Sequence, residues 1–345
     1  MSVFFESLVA WQRAHGRRGL PWQHTTDPYR VWLSEIMLQQ TQVSTVLAYY
    51  DRFLQRFPDV QSLAAADTES VLALWSGLGY YSRARHLHRC AQVVVERWGG
   101  LFPTTAAQLQ QLPGIGPSTA AAIAAFCHGE RISILDGNVQ RVLTRLLAFA
   151  GDLAETAQHK RLWSAAQQLV PETATHPDMV AYTQGLMDLG ATVCRRSRPD
   201  CLICPVQSLC LAAQAGQPAQ FPVKTRTLKR RTEHWWLLVL RRPDGACWLE
   251  PRPATGIWAG LYAFPVVTTQ AQAGQPMVGA VGPAPVWHEP IRHSLTHRDL
   301  VLQPVEWLVE PTHDRAGGCW VRERTDLTMG LPAPLRTWLE ARLPA

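Results

Sequence analysis

The chain contains 345 residues, of which 33 are Lys or Arg and 27 are Asp or Glu, so its formal net charge is +6. A chain of this length can form two domains with separate cores. No apolar stretch is long enough to span a membrane, which excludes an integral membrane protein and predicts a soluble one.

The first part of the chain, residues 1–213, is predicted to be helical. Ala, Leu and Gln dominate it, and apolar residues recur at helical spacing, as in Thr105 to Leu112 and Val139 to Phe149. The residues that follow, 214–231, mix Gly, Pro, Gln and basic side chains without an apolar period. Such a composition is typical of a connection between domains. We therefore interpret residues 214–231 as an interdomain linker.

The remainder of the chain, residues 232–345, has the patterns of a mixed α and β domain. Trp235 to Arg241 and Cys247 to Glu250 flank the turn sequence Pro243-Asp244-Gly245, which predicts a β-hairpin. Further segments are predicted to form three strands and a closing helix: Tyr262 to Val267, Asp299 to Val309, Cys319 to Arg322 and, as the helix, Pro334 to Leu343.

Most of the net positive charge lies in the linker. Residues 224–231 contain five basic and no acidic residues, residues 1–223 contain 18 basic and 16 acidic residues, and residues 232–345 contain ten and 11. A basic run is often only a solvated connection. Beside a nucleic-acid enzyme it can also contact phosphates, since neutralised phosphates release counterions.

Four cysteines stand close together, separated by six, two and five residues; they are Cys194, Cys201, Cys204 and Cys210. Thiolates are soft ligands that bind zinc or an iron–sulfur centre, and spacing alone does not choose between them. Disulfide bonds are the other reading. They are disfavoured because Met1-Ser2-Val3 leads into a mixed polar and apolar helix and not into a secretory signal. The run is therefore predicted to bind a metal or a cluster.

The sequence Leu-Pro-Gly-Ile-Gly-Pro-Ser, from Leu112 to Ser118, lies between two predicted helices. Its glycines permit a tight turn, and Pro117 is placed to open the second helix. A bare Leu-Pro-Gly turn is usually structural. In a helix-hairpin-helix, the backbone N–H groups at the start of the second helix can bind a DNA phosphate without reading the bases.

Glu35 has the placement expected of a catalytic carboxyl group. It is the only ionisable side chain between Arg30 and Asp51 apart from the tyrosines, and Val31 and Leu38 share its helical face. Desolvation raises the pKa of a carboxyl group, so a protonated Glu35 could donate to a purine ring nitrogen and, once ionised, activate water. A buried glutamate paired with an arginine is an equally good reading of the residues alone.

Asp136 follows the apolar stretch Ile132 to Leu135 and precedes a predicted helix. An N-cap explains this position. The same side chain can also take part in chemistry. Cleavage of an N-glycosidic bond develops positive charge on the sugar, and a fixed carboxylate stabilises that charge.

The order of these motifs resembles that of the endonuclease III superfamily of base-excision DNA glycosylases. The helix-hairpin-helix comes first, Asp136-Gly137-Asn138-Val139 follows, and the four cysteines come last. The sequences Ser34 to Val43 and Gly77 to Arg85, and an appended C-terminal domain, are similar to the adenine DNA glycosylase branch. The resemblance covers nearly the whole chain. It implies a mainly α helix-hairpin-helix domain with an iron–sulfur cluster loop at 194–210, followed by an α+β Nudix-like domain.

The resemblance also implies an activity and a cofactor. A member of this branch is expected to hydrolyse adenine from double-stranded DNA where it is mispaired with 8-oxoguanine or guanine, and to carry one [4Fe–4S] cluster in place of zinc. Glu35 would be the general acid and base, and Asp136 would stabilise the sugar cation through an ion pair or a transient adduct. We expect a monomeric enzyme of the bacterial cytoplasm, associated with the nucleoid through DNA.

Ser118 predicts the type of glycosylase. In bifunctional relatives the corresponding position carries a lysine whose amine forms a Schiff base and cuts the strand. A hydroxyl group cannot do this. We therefore expect a monofunctional enzyme that leaves an intact abasic site.

Other residues match the DNA-binding positions of the family. Gln39 and Tyr80 match groups that fill the gap left by the extruded adenine, although an aromatic residue such as Tyr80 is ordinarily a packing residue. The expected DNA contacts of the hairpin are Leu112, Gly114, Gly116 and Ser118. The positions that match the lining of the adenine pocket are Leu20, Trp22 and Gln184.

The C-terminal domain resembles a Nudix domain over Trp248 to Tyr262, but no R-E-x-x-E-E box with carboxylates for Mg²⁺ follows. It is therefore expected to bind and not to hydrolyse. Ile291 to His297 occupies the place of the family's 8-oxoguanine-reading loop, with Leu295-Thr296-His297 where Phe-Ser-His is frequent. Thr296 keeps a hydroxyl that can accept from the N7–H of the oxidised base, and Leu295 replaces the aromatic residue.

Three other functions fit part of the sequence. A thymine-glycol or mismatch glycosylase of the same superfamily is disfavoured by Ser118 and by the extra domain. A non-catalytic iron–sulfur DNA-binding module is disfavoured by the presence of Glu35 and Asp136. A Nudix pyrophosphatase would need metal-binding carboxylates that the C-terminal domain lacks.

Overall fold

The computed structural model forms two compact units, each built from two stretches of chain. The first unit contains Met1–Ala65 and His86–Thr227, and the second contains Ala66–Arg85 and Leu228–Ala345. Of the predicted basic run, residues 226–229 lie outside the described residues. The described residues are 3–225, 230–276, 279–282, 284–312 and 316–345.

The α-helices of the described chain are, in order, α1 (Val3–His15), α2 (Pro28–Leu38), α3 (Val43–Arg56), α4 (Val60–Ala65), α5 (Thr68–Trp75), α6 (Ser82–Trp98), α7 (Ala106–Leu109), α8 (Pro117–His128), α9 (Gly137–Leu146), α10 (Thr156–Gln168), α11 (His176–Asp188), α12 (Leu211–Gln214), α13 (Gln270–Gly274) and α14 (Ala333–Glu340). In the described part of the chain, none of them is both long and apolar enough to cross a bilayer.

The first unit is helical, and α8 lies at its centre. Five alanines lie on this helix, and all of them are buried. Small side chains on every face let α2, α7 and α11 approach α8 closely. The core around it includes Leu8 of α1, Leu143 of α9 and Tyr182 of α11. The helical character predicted for this part of the chain is confirmed.

The predicted helix-hairpin-helix is present, with a shorter first helix than the sequence suggested. Thr105 caps α7, and the helix ends at Leu109 and not at Leu112. Gly114 has a φ of +78°, and a Cβ atom added there would lie 2.7 Å from the Cβ of His86, so the turn requires glycine. Pro117 opens α8, as predicted.

The second unit contains a mixed β-sheet. Its strands are β1 (Arg231–Arg241), β2 (Cys247–Pro251), β3 (Tyr262–Ala263), β4 (Val266–Val267), β5 (Val286–Trp287), β6 (Ile291–Ser294), β7 (Arg298–Leu308) and β8 (Cys319–Val321). The order in the sheet is β3-β2-β1-β7-β5, and off this path β4 pairs with β1, β6 with β7 and β8 with β2. The two long strands, β1 and β7, are parallel and paired along their whole length.

The predicted hairpin of β1 and β2 is confirmed by the antiparallel pairing of Arg241 with Cys247. The predicted strand Tyr262 to Val267 is instead two short strands, β3 and β4, which pair with different neighbours. Pro265 lies between them and lacks the N–H that would continue a ladder. The prediction of a loop from Ile291 to His297 is also partly wrong, because the first four residues form β6 and pair with β7.

Residues 66–85 group with the C-terminal part of the chain in the second unit. The Leu72 and Trp75 side chains of α5 are buried in the second unit. A Cβ atom added to Gly330 would lie within 3.1 Å of both Leu72 and Leu261. Nothing in the local pattern of residues 66–85 indicates this partner, because the contacts join parts of the chain that are far apart in sequence.

Candidate active site

Glu35 lies on α2, one turn before the end of the helix. Asp27 caps this helix by accepting a hydrogen bond from the Tyr29 backbone N–H at 2.9 Å, and Pro28 occupies the first turn. The helix buries its large apolar side chains, among them Trp32, in the core of the first unit. Core packing therefore fixes the direction in which Glu35 points.

Glu35 faces a cavity of about 450 Å³ within the first unit. Val31, Ser34 and Leu38 line the cavity from the same helix, so the helical face inferred from the sequence is present. Part of the Glu35 side chain is exposed to the cavity, and protein atoms enclose the carboxyl group on its other sides. The volume is in the range of small-molecule sites in proteins.

The three residues assigned by resemblance to an adenine pocket line this same cavity: Leu20, Trp22 and Gln184. Trp22 is buried and packs edge-on against Tyr50, with ring centroids 5.3 Å apart. A flat apolar wall and a side-chain amide therefore lie in one cavity with a carboxyl group.

The loop that carries Leu20 and Trp22 is fixed by Gln23. Its amide oxygen accepts from the Leu20 backbone N–H at 3.2 Å, and its amide nitrogen donates to the Arg17 carbonyl at 3.1 Å. Gln23 was not predicted from the sequence, because nothing in a single glutamine distinguishes a residue that fixes a loop from a surface residue.

Gln184 is held by a partly buried ion pair that was also not predicted from the sequence. Its amide nitrogen donates to Asp188 at 2.8 Å, and Asp188 accepts from the Arg17 Nε at 2.7 Å and from the Arg17 backbone N–H at 2.9 Å. Asp188 is fully buried, one turn after Gln184 on α11. A charged residue within the apolar end of α11 was the available signal, but its partner is 171 residues away.

Asp136 is the N-cap of α9, as predicted. Its carboxylate accepts from the Val139 backbone N–H at 2.7 Å. The preceding residue, Leu135, donates its backbone N–H to the Ser118 hydroxyl at 3.2 Å. Ser118 therefore anchors the backbone immediately before Asp136, a contact that joins the hairpin to the start of α9.

The two carboxyl groups differ in what surrounds them. Burial raises the pKa of Glu35 to about 8, and the charge of Asp136 contributes to the increase. Burial also raises the pKa of Asp136, but hydrogen bonds from the Val139 and Asn138 backbone and the charge of Arg141 oppose that increase. The groups around Asp136 favour its ionised form, and no such groups act on Glu35. Glu35 is therefore the member of the pair that carries a proton at neutral pH.

The cysteines of the predicted metal or cluster site line one small concavity together with the buried Arg145. Arg145 Nη1 lies 3.4 Å from the Cys194 sulfur and donates to the Arg195 carbonyl at 2.8 Å. Four thiolates around one zinc ion would be about 3.8 Å apart, given a Zn–S distance of about 2.3 Å. Within the described ranges, no three His, Cys, Asp or Glu side chains form a group that could hold one metal ion.

Gln39 and the hairpin lie in the first unit as well. Gln39 caps the C-terminus of α2, one residue beyond the helix, and its amide nitrogen is 3.4 Å from the Thr119 hydroxyl. Gly116 is the N-cap of α8 and supplies no side chain there, so the first backbone N–H groups of that helix have no side-chain cap. These backbone N–H groups are the ones predicted from the sequence to bind a DNA phosphate.

A second polar depression lies within the second unit, lined by Tyr80, Arg230, Ser294, Leu295 and Thr296. The Tyr80 side chain is 42% exposed, and its hydroxyl is 3.1 Å from the Thr296 hydroxyl. Leu295 is half-buried, and its backbone N–H donates to the Arg298 carbonyl at 2.7 Å to close the turn.

Three of the residues predicted around that loop are thus brought together, while His297 is exposed and does not line the depression. Arg230 and Ser294 were not singled out from the sequence. Both contact Asp299: the Ser294 hydroxyl donates to it at 2.7 Å, and the Arg230 guanidinium lies 3.9 Å from it.

We expect the buried Glu35 carboxyl group to make stability depend on pH. Its pKa is higher in the folded protein than in the unfolded chain, so its contribution to stability is complete below about pH 4.5 and is lost as the pH rises towards 8. Glu35→Gln removes this loss. The free energy of unfolding of the variant, relative to the unaltered protein, should increase by up to about 1.4 kcal/mol per pH unit between pH 5 and 8.

Urea denaturation at several pH values measures this difference. Glu172→Gln, at an exposed glutamate, is the control and should show no such trend. A difference between Glu35→Gln and the unaltered protein that stays constant from pH 5 to 8 would contradict a raised pKa.

Family models and relatives agree with this architecture. Residues 33–168 match the model of the HhH-GPD superfamily of base excision DNA repair proteins, and residues 236–341 match a NUDIX domain model. A thermostable thymine-DNA glycosylase has a similar structure, with a TM-score of 0.55 and 29% identity over 62% of this chain and 96% of that one. Endonuclease III in a non-covalent DNA complex shares the fold, with a TM-score of 0.50 and 17% identity over 62% and 94% of the two chains. The predicted fold class, a helix-hairpin-helix domain followed by a Nudix-like domain, is confirmed.

Proteins that match most of the chain identify the family more narrowly than the domain models do. The adenine DNA glycosylase of Buchnera aphidicola subsp. Baizongia pistaciae is 34% identical over 345 residues, which cover 96% of this chain and 95% of that protein. The human adenine DNA glycosylase is 37% identical over 88% of this chain and 66% of its own length. Both are named for hydrolytic removal of a base from DNA, the chemistry for which a protonated carboxyl group beside an ionised one is suited. The chain belongs to the adenine DNA glycosylase family of base-excision repair enzymes.

Proposed function

We propose that this enzyme removes adenine paired with 8-oxoguanine or guanine and leaves the DNA strand intact at an abasic site. The observation that carries the proposal is the position of Glu35. It is a carboxyl group with a pKa of about 8 that faces a cavity large enough for a nucleobase, and the charge of Asp136 contributes to that raised pKa.

In the proposed reaction, Glu35 donates its proton to a ring nitrogen of the extruded adenine. The bond between that base and C1′ of the sugar then breaks, and the bonding electrons leave with the neutral adenine. Asp136, held by the backbone N–H of Val139, stabilises the positive charge that develops on the sugar. The ionised Glu35 next removes a proton from a water molecule, whose oxygen bonds to C1′. Glu35 is thereby protonated again.

The other predicted site residues bind the substrate in this proposal. Trp22 and Leu20 provide the apolar walls against which the adenine ring stacks, and Gln184 contacts its polar edge. The N–H groups at the start of α8 bind a phosphate, together with the turn from Leu112 to Ser118. Gln39 and Tyr80 fill the gap that the extruded base leaves.

The chain lacks the amine that strand cleavage would require at the site. A Schiff-base mechanism needs an amine at the sugar, and Ser118 offers a hydroxyl group that already accepts from Leu135. The sequence contains only three lysines, Lys160, Lys224 and Lys229. Among the described residues, none of those that line the cavity is a lysine.

Recognition of 8-oxoguanine is assigned to the depression in the second unit. The hydroxyl groups of Tyr80 and Thr296 can each donate to or accept from a base edge, and Leu295 presents an apolar surface to a base plane. Arg230 adds a positive charge suited to an adjacent phosphate. The exposed His297 follows Thr296 in the chain and can contact the DNA backbone.

A [4Fe–4S] cluster is the group that best fits the cysteine loop. The four thiols line a single concavity, which fits the donor set of such a cluster, but they do not form the compact group that one zinc ion requires. Each iron of a cubane takes one cysteine, so its ligands stand farther apart. Cys194, Cys201, Cys204 and Cys210 would hold it, and bound there it would fix the loop and need not transfer electrons.

The function is tested with labelled duplexes that place adenine opposite 8-oxoguanine, guanine or thymine. We expect release of adenine from the first two, with strand breaks appearing only after hot alkali. Glu35→Gln should reduce the rate at least about 100-fold, because it removes the acid. Breaks without alkali, or trapping of the protein on DNA by borohydride, would contradict the monofunctional mechanism. No release of adenine opposite 8-oxoguanine or guanine, or equal release opposite thymine, would contradict the proposed substrate.

The cluster is tested by chemical analysis of the purified protein, which should contain about four iron atoms and about four sulfide ions per chain. Cys204→Ser should lose the iron and the brown colour. Cys319→Ser, at a half-buried cysteine of the second unit, is the matched control and should retain both. One zinc ion per chain with no iron would contradict the proposal.

A further inference from the structure

Tyr80 lies in a turn whose backbone is unusual at three positions. The φ angles of Gly77, Gly79 and Tyr80 are +102°, +70° and +48°. The left-handed region is unfavourable for an L-residue, so a turn with Tyr80 in this conformation needs support from its surroundings. The orientation of the exposed Tyr80 ring depends on that support.

Part of the support comes from within residues 66–85. The Trp75 indole N–H donates to the Gly79 carbonyl at 3.1 Å. The Arg83 guanidinium donates to the Leu78 and Gly79 carbonyls, both at 3.3 Å, and lies 5.3 Å from the centre of the Tyr80 ring. These contacts shape the turn but do not connect it to the C-terminal residues that line the depression.

Tyr81 connects the turn directly to the C-terminal part of the chain. Its hydroxyl donates to the Leu331 carbonyl at 2.9 Å and accepts from the Gly77 backbone N–H at 3.2 Å. Ser76 adds a hydroxyl that donates to the same carbonyl at 2.9 Å. Tyr81 and Leu331 are both buried, so water does not compete freely for these hydrogen bonds.

Tyr80 is therefore held at two ends. Its backbone belongs to a turn fixed to Leu331 through Tyr81, and its own hydroxyl is 3.1 Å from Thr296. Both anchors lie in residues 228–345, within the second unit. A shift of the turn would move the Tyr80 hydroxyl relative to Thr296, and hydrogen bonds weaken steeply with loss of alignment.

We infer that Tyr81 is a positioning residue for the choice of the base opposite adenine: its hydroxyl ties the Tyr80 turn to Leu331 and so holds Tyr80 against Thr296. The inference rests on the proposed recognition of 8-oxoguanine by Tyr80 and Thr296. Tyr81 does not contact the DNA in this account. Its effect is on the ratio of rates for adenine opposite 8-oxoguanine and adenine opposite guanine.

The test measures that ratio under single-turnover conditions for Tyr81→Phe. The substitution keeps the ring and removes one buried hydrogen-bonding group, so the preference for 8-oxoguanine should fall about fivefold, the equivalent of one hydrogen bond. Ser76→Ala removes the other hydrogen bond to the Leu331 carbonyl and should lower the ratio as well. It provides a second test if Tyr81→Phe folds poorly.

Two further variants separate positioning from a general loss of stability. Tyr29→Phe removes a hydroxyl that donates to the buried Phe57 carbonyl at 2.7 Å in the first unit, and it should leave the ratio unchanged. In a Tyr80→Ala background the effect of Tyr81→Phe should vanish, because the residue that Tyr81 positions is gone.

The outcomes distinguish the inference from the proposed function. If the unaltered enzyme prefers 8-oxoguanine and Tyr81→Phe retains that preference, the inference is wrong and the proposed function stands. The same holds if Tyr81→Phe lowers the ratio further in the Tyr80→Ala background. If the unaltered enzyme shows no preference for 8-oxoguanine over guanine, the proposed recognition fails, and the inference fails with it.

Discussion

The desolvation of one carboxyl group is the constraint on which the rest of the active site depends. A glutamate in water is ionised at neutral pH and cannot act as an acid, whereas burial raises the pKa of Glu35 to about 8. The apolar packing of α2 provides that burial, and the cavity leaves one side of the group open to a ligand. Burial raises the pKa of Asp136 as well, but the N–H donors at the start of α9 and the charge of Arg141 oppose that increase. The helical core thus buries both carboxyl groups, and hydrogen bonds partly offset the effect of burial at Asp136.

The two units divide the work of the enzyme. The first unit holds the carboxyl pair, the apolar cavity, the hairpin and the cysteine loop. The second holds the depression around Tyr80 and Thr296, and its sheet contains neither catalytic carboxylates nor, in the described stretches, a group of side chains that could bind a metal ion. Residues 66–85 leave the helical part of the chain to join the second unit. Tyr80, which we propose to contact the opposing base, therefore belongs to the same unit as the loop from Ile291 to His297.

Local patterns were sufficient for some of this structure and not for the rest. The helical face of Glu35 and the N-cap at Asp136 follow from spacing and from capping chemistry, which involve neighbours in sequence. The ion pair of Arg17 with Asp188 and the hydrogen bond from Tyr81 to Leu331 join residues 171 and 250 positions apart, and no periodicity reports such contacts. The single strand predicted from Tyr262 is two strands, because β3 pairs with β2 and β4 pairs with β1, and these partners could not be seen in the local pattern. What remained hidden was the tertiary support of the site, while its chemical groups were visible in the sequence.

The most direct test of the central claim is the dependence of kcat/KM on pH, for adenine opposite 8-oxoguanine, in the unaltered enzyme and in Asp136→Asn. If Glu35 must be protonated, the rate of the unaltered enzyme falls above pH 8, by about tenfold per pH unit. In Asp136→Asn the charge that helps to raise the pKa of Glu35 is absent, so the rate should begin to fall at a lower pH. The rate itself should be lower by about 100-fold or more at every pH, because the charge that stabilises the sugar cation is lost. A rate that stays constant to pH 9.5, or a fall at the same pH in both proteins, would contradict the account.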